Sequence, residues 1–88
     1  MNAVQGELIT SGSTNATAIV LTDVDKNEQK VFYPKVVSGT VKFGKDEVTA
    51  NAHGWTSSDV IPPFYCANGS LYFQAAADTD TFVLTATP

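Results

Sequence analysis

Few residues of this chain could carry out chemistry, and their types and spacing match no established kind of active site. His53 is the only histidine and Cys66 the only cysteine, so together they offer a single candidate nucleophile–base pair. The two residues lie on different segments. The alternation around Cys66 turns its side chain toward the core, where a free cysteine usually packs as a small apolar group. A zinc site would lack two of its four ligands. The sequence therefore predicts a protein without catalytic residues, metal ligands or a cofactor, and not an enzyme.

A possible calcium loop begins at Asp23 and Asp25, which place oxygen atoms at alternate positions of the chain. The pattern then fails. Glu28 stands where an EF-hand loop needs glycine, and Pro34 stands where it needs a bidentate glutamate. We therefore expect a turn in which Asp and Asn side chains bond to nearby backbone.

The charge of the chain argues against nucleic acid as a partner. Nine acidic residues face five lysines, and there is no arginine, which gives a formal net charge of −4. Arginine is the preferred residue for bidentate contacts to phosphate and base edges, and nucleic-acid-binding domains usually show a basic patch. An anionic membrane surface is disfavoured for the same reason. Asp59, Asp78 and Asp80 lie near loop ends, and we expect them to be surface charge.

Length and composition predict one small all-β domain spanning residues 1–88, with candidate flexible ends at 1–6 and 85–88. Threonine, valine, isoleucine and aromatic residues occur throughout the chain, and no stretch repeats apolar residues with a helical period. Short alternating runs separated by turn residues predict seven to eight antiparallel strands in a β-sandwich or small barrel.

The clearest local pattern is a hairpin within residues 62–74, turning at Asn68 and Gly69. Both residues tolerate positive φ, as the central positions of a type I′ turn require. A two-residue turn would place Tyr65 opposite Tyr72 on the outer side of the hairpin. Large amphipathic side chains in such a pair are typical of interfaces, so both tyrosines are interface candidates. The residues expected on the core face are Phe64, Cys66, Leu71 and Phe73.

Two further turns predict hairpins of the same kind. Residues 25–28 should connect a strand over 16–24 with a partner over 29–33. Gly44 and Lys45 suit a type II′ turn, which would place Val41 opposite Val48 and Lys42 opposite Glu47.

Residues 51–59 form the longest irregular stretch and contain His53 and the only tryptophan, Trp55. Trp55 is either an aromatic anchor for a partner or sugar ring, or a lid folded over one end of the core. We keep Trp55 and His53 as further interface candidates beside the two tyrosines.

The start of the chain, MNAVQGELITSGSTNAT, is polar and lacks the basic and apolar regions of an export signal. We therefore expect synthesis in the cytoplasm. In its short length, acidic balance and strands rich in Thr, Ala and Asn, the chain resembles small all-β virion proteins of tailed bacteriophages, of the head decoration or cement type. The resemblance implies a structural protein without catalysis or cofactor. It would form a homo-oligomer, such as a trimer, and reinforce a capsid shell. The alternative is a small carbohydrate- or ligand-binding module that uses Trp55.

Overall fold

The protein folds as two β-sheets packed face to face, without any helix in the part of the chain that is described. The computed structural model describes residues 2–25, 28, 31–47, 53–66 and 70–87. The strands are β1 (Asn2–Ala3), β2 (Leu8–Thr10), β3 (Thr17–Leu21), β4 (Val31–Ser38), β5 (Val41–Gly44), β6 (Gly54–Trp55), β7 (Phe64–Tyr65), β8 (Ser70–Ala75) and β9 (Thr81–Thr87). Sheet A has the strand order β1-β3-β8-β5-β6, and sheet B has the order β2-β9-β4-β7.

The all-β, sandwich-like prediction is confirmed, with three differences in detail. Nine strands are described rather than seven or eight, and neither sheet closes into a barrel. One pair is parallel, since β1 runs alongside β3 with Ala3 opposite Leu21. Both segments expected at flexible ends are paired where the structure describes them: Ala3 is buried, and Thr87 is opposite Val31 of β4.

Consecutive strands almost always lie in different sheets. Of the eight steps between successive described strands, only the step from β5 to β6 stays within one sheet. Each sheet is therefore assembled from strands that are distant in sequence. The central strand of sheet B, β9, pairs with both β2 and β4.

This alternation makes two of the three predicted hairpins wrong. β7 pairs with β4 in sheet B, whereas β8 pairs with β3 and β5 in sheet A, so Tyr65 and Tyr72 are not partners. The strands on either side of residues 25–28 likewise belong to different sheets.

The third hairpin fails because its partner positions are occupied. Val41 lies between Trp55 and Ala75 of the neighbouring strands, and Gly54 takes the place expected for Glu47 beside Lys42. The turn residues 67–69 and Val48 lie outside the described residues.

The core between the sheets is centred on phenylalanines. Phe43 and Phe73 of sheet A contact Phe82 of sheet B, with ring centroids 5.1 Å and 5.0 Å apart. Such tilted and edge-on pairs add about 0.5–1.5 kcal/mol each beyond the apolar area they bury. The inward alternation of β8 and β9 supplies Leu71, Phe73, Phe82 and Leu84, all fully buried. The predicted core face is confirmed for Cys66, Leu71 and Phe73, and Phe64 packs against the same cluster.

One end of the sandwich is held by a buried carboxylate rather than by apolar packing. Asp80 is only 7 % exposed, so the expectation of surface charge is wrong for this residue. Its Oδ2 accepts hydrogen bonds from the backbone N–H groups of Ala77 and Thr40, and its backbone carbonyl accepts one from Ser11. Three connections, each of which joins a strand of one sheet to a strand of the other, therefore meet at this residue. We call this end the Asp80 corner: residues 11–12, 39–40 and 76–80.

Gly39 is required at the Asp80 corner. Its φ of +80° is a conformation that residues with a side chain adopt only at a cost, and a Cβ at this position would overlap the Asp80 carboxylate. Gly39 thus lies at the bend where the chain passes from sheet B to sheet A. An adjacent bulge between Val36 and Ser38 of β4 accompanies it.

Candidate interaction surface

The structure separates the four predicted interface residues into three places. Tyr65 lies on the outer side of sheet B and is 62 % exposed. Tyr72 lies on the outer side of sheet A, half-buried between Ala18 and Gly44 of the neighbouring strands. His53 and Trp55 lie together at the β6 edge of sheet A. The tyrosine pair that suggested one shared surface is therefore divided between opposite sides of the molecule.

Trp55 occupies a position on the inner side of its sheet. It is opposite Val41, a core residue, and its half-buried side chain packs against the core cluster. The exposed His53 ring lies edge-on to it, with centroids 4.3 Å apart. Packing of this kind agrees with the lid alternative better than with a free aromatic platform, because both the core and His53 cover part of the indole.

The turn that follows Trp55 is closed by Asp59. Its Oδ2 accepts hydrogen bonds from the backbone N–H of Thr56 at 2.8 Å and from the Thr56 hydroxyl at 3.1 Å. The backbone hydrogen bond is the main cause that lowers the pKa of the Asp59 carboxyl below its ordinary value. This acid therefore fixes the loop that follows Trp55.

The other residues that could take part in catalysis or metal binding also have structural roles. Cys66 is buried, and its burial raises the pKa of the thiol, which makes it a poor nucleophile. Asp23 Oδ1 accepts a hydrogen bond from the backbone N–H of Gln5. Within the described ranges, no group of three or more His, Cys, Asp or Glu side chains could hold a metal ion.

A shallow cavity of about 290 Å³ opens beside the Asp80 corner. Its lining includes Thr14, Thr40, Lys42 and Gln74. The Gln74 amide donates to the Thr14 carbonyl, and its Oε1 is buried without a hydrogen-bond partner. A water molecule would satisfy this single acceptor, and the cavity has no aromatic wall on which a sugar ring could stack.

The outer face of sheet B has a different character, because large apolar side chains remain exposed there. Leu8 is 57 % exposed, Val37 48 % and Tyr33 43 %, and Tyr65 lies on the same face. The strand register brings Leu8 opposite Val83, Val83 opposite Lys35, and Val31 opposite Tyr65. We call this surface the sheet B face: the outward side chains of Leu8, Val31, Tyr33, Val37, Tyr65 and Val83, together with the threonines between them.

Lys35 is the only charged residue in the four strands that form the sheet B face. Its ammonium group turns to the loop of residues 56–59, where it donates to the backbone carbonyls of Ser57 and Asp59 at 2.6 Å and 3.2 Å. The lysine head is thus drawn toward one edge, and the middle of the face is formed by apolar and threonine side chains.

The sequence prediction identified Tyr65 on this face but missed Leu8, Tyr33, Val37 and Val83. A signal for two of them was present: β9 alternates along its whole length and β4 alternates as far as Val36, so Tyr33 and Val83 point away from the core, whereas Val37 lies at the bulge. What the sequence did not reveal was that β2, β4, β7 and β9 belong to one sheet.

Comparisons with protein-family models, curated proteins and solved structures found no match for this chain. No helix among the described residues is long and apolar enough to cross a membrane.

Proposed function

We propose that this protein is a non-enzymatic structural component that forms homo-oligomers and reinforces a larger protein assembly. The observation that carries the proposal is the sheet B face, an uncovered apolar surface spread over four strands. Single exposed apolar residues are ordinary on protein surfaces, but a contiguous patch usually marks a protein–protein contact.

The chemistry of the described residues supports the same conclusion. Cys66 is buried, Asp59 and Asp80 hold loops, and His53 lies against Trp55. Acyl transfer and acid–base catalysis need a nucleophile, a base and a group that orients them, and this arrangement offers none of these sets. The polar groups act in folding, which leaves surface contact as the function that the geometry favours.

Within this class, the proposed setting is a virion, with the chain acting as a decoration or cement protein on a capsid shell. The support is the overall resemblance in length, charge and strand composition, together with the β-sandwich. A carbohydrate-binding module is less well supported, because the indole of Trp55 is partly covered by core residues and by His53.

The test is whether the chain is part of particles in its native host. We expect the wild-type protein to sediment with assembled particles in a density gradient, and the Tyr65→Ser, Tyr33→Ser double variant to remain in the soluble fraction. Circular dichroism should show that the variant is folded. Wild-type protein found only in soluble fractions, in a host that does produce particles, would contradict the proposal.

A further inference from the structure

The sheet B face contains an apolar stripe that crosses the sheet diagonally. It begins at Leu8 on β2, passes through Val83 on β9 and Tyr33 on β4, and ends beyond Val31 at Tyr65 on β7. Diagonal neighbours in an antiparallel pair are about 7–8 Å apart, close enough for side chains of this size to touch. The two ends differ in chemistry, since one is aliphatic and the other aromatic.

We propose that the sheet B face is occupied by a second copy of this chain, related by a two-fold axis that passes near the middle of the stripe, beside Val83 and Thr85. A two-fold axis that lies in the plane of the interface, at right angles to the stripe, exchanges the two ends of the stripe. Leu8 of each copy then packs on Tyr65 of the other copy. This inference rests on the proposed assembly function, because it assigns the partner for the same surface.

Charge favours a second copy over other occupants. The chain has a formal net charge of −4, yet no acidic residue lies in β2, β4, β7 or β9. Two copies that meet through this face therefore keep their acidic residues out of the contact, and like-charge repulsion between them is low. A strongly basic or acidic partner would find no complementary charge in the middle of the face.

The size of the face also fits a modest dimer. The four strands have 20 residues, and at about 3.3 Å along the strand and 4.8 Å across it for each residue they cover roughly 320 Å². Covering that area on two copies buries about 630 Å² before side-chain relief is counted, which is at the weak, transient end of specific interfaces. The geometry is that of sheets packed face to face about 10 Å apart, as in the interior of the sandwich itself. We expect association in the micromolar range.

The exchange of stripe ends gives a direct test by charge pairing. Leu8 and Tyr65 lie on opposite edges of sheet B, about 14 Å apart across the strands and about 13 Å apart along them, so they cannot contact each other within one chain. Sedimentation velocity over a concentration series should show that Leu8→Glu and Tyr65→Lys each raise the dimer dissociation constant about tenfold or more. The double variant should recover a substantial part of that loss, because the new charges meet across the axis. Tyr72→Ser, on the outer side of sheet A, is the matched control and should leave the dissociation constant unchanged.

A cross-linking experiment tests the position of the axis independently. Thr85 lies beside Tyr33 on one outer face, and Ala18 lies beside Tyr72 on the other. With a short bis-maleimide, Thr85→Cys should give covalent dimers and Ala18→Cys should not. The wild-type chain is a suitable background, because Cys66 is only 2 % exposed.

The outcomes separate this inference from the proposed function. A chain that stays monomeric at millimolar concentration, or a dimer that cross-links through Ala18→Cys instead, overturns the two-fold contact. If the protein still sediments with particles in either case, the proposed assembly function stands without the two-fold contact. A dimer with the expected cross-link that never enters particles supports the contact and overturns the assembly function.

Discussion

The two outer faces of the sandwich differ although both cover the same core. On sheet A, the outward positions hold small or polar residues such as Ala18, Lys42 and Gln74, and the larger Tyr72 is half-buried. On sheet B, Leu8, Tyr33, Val37 and Tyr65 remain exposed. The inward side chains of both sheets are apolar because folding requires a buried core. Folding does not require an apolar outer face, so the sheet B face points to a contact outside the chain.

The comparison also shows the limits of alternation as a guide. Alternation in β8 and β9 correctly separates inward from outward residues on both sheets. It gives no information about which outward residues share a face, since that depends on the assignment of strands to sheets.

The largest expected effect is on the stability of the whole fold, because the Asp80 corner joins the two sheets that carry the two faces. Gly39→Ala should lower the free energy of unfolding by about 2–5 kcal/mol. The left-handed backbone costs about 1–2 kcal/mol, and displacing the Asp80 carboxylate from its hydrogen bonds costs about 1–3 kcal/mol more. Chemical denaturation monitored by circular dichroism measures the change.

Gly12→Ala is the matched control for that prediction. Gly12 has a φ of +61°, but an added Cβ would meet only the Thr10 carbonyl oxygen, at 4.0 Å. We expect only the backbone cost of about 1–2 kcal/mol. Equal losses in the two variants would show that the contact with Asp80 does not matter.

A smaller effect on stability is expected from substituting Trp55. Its size tests whether this aromatic side chain packs on the inner side of sheet A or stands on an outer face. Trp55→Phe should cost about 1–2 kcal/mol, because part of a half-buried packing contact is lost. In the wild-type protein, tryptophan emission should be blue-shifted and unresponsive to oligosaccharides. Emission near that of free tryptophan in water, or quenching by a sugar, would instead support the carbohydrate-binding alternative.

The two faces themselves can be compared with one isosteric change on each. Val83 and Val20 are both half-buried on an inner strand of their sheet, and each points outward. Val83→Thr should reduce retention on a phenyl column, while Val20→Thr should leave it almost unchanged, because only Val83 lies within an apolar patch. Stability should change only slightly in either variant, because the added hydroxyl can reach water at both outward, half-buried positions. Equal retention losses would remove the distinction between the faces.

The smallest effect concerns the turn that holds Lys35 at the edge of the sheet B face. Because the pKa of Asp59 is lower in the folded protein, its contribution to stability is present above the unfolded pKa of about 4 and is lost as pH falls through the folded pKa. The difference in unfolding free energy between wild type and Asp59→Asn should therefore shrink as pH falls from about 5 to 2. Asp46→Asn, at an exposed position, controls for the change in net charge. A difference that is constant with pH would show that the carboxylate does not cap the turn.

The sequence was sufficient for the all-β class and for part of the core, but not for the pairing of strands. Cys66, Leu71 and Phe73 were predicted on the core face, and all three are buried. Two hairpin predictions failed because the chain passes to the other sheet after the turn, and the third failed because Val41 and Lys42 pair with Trp55 and Gly54 instead of Val48 and Glu47. Hydrogen-bonding groups on a strand edge are satisfied equally well by a strand from elsewhere, so local turn residues do not determine the partner.

The candidate site was recovered less completely for the same reason. Tyr65 was identified as exposed, but its supposed partner Tyr72 lies on the other sheet. The burial of Asp80 could not be foreseen, because it depends on three connections that meet only in the folded structure.

The alternation of strands between the two sheets has a consequence for synthesis. β2 and β4 pair with β9 rather than with each other, so sheet B cannot be completed until residues 81–87 have left the ribosome. Until then, residues 8–10 have no partner strand, and residues 31–38 have only the two-residue strand β7. Pairings between distant segments also slow folding, to milliseconds or seconds in proteins dominated by such contacts. The nascent chain therefore passes through a period in which the strands of the sheet B face are not fully paired. Chaperone binding would protect the chain most during this period.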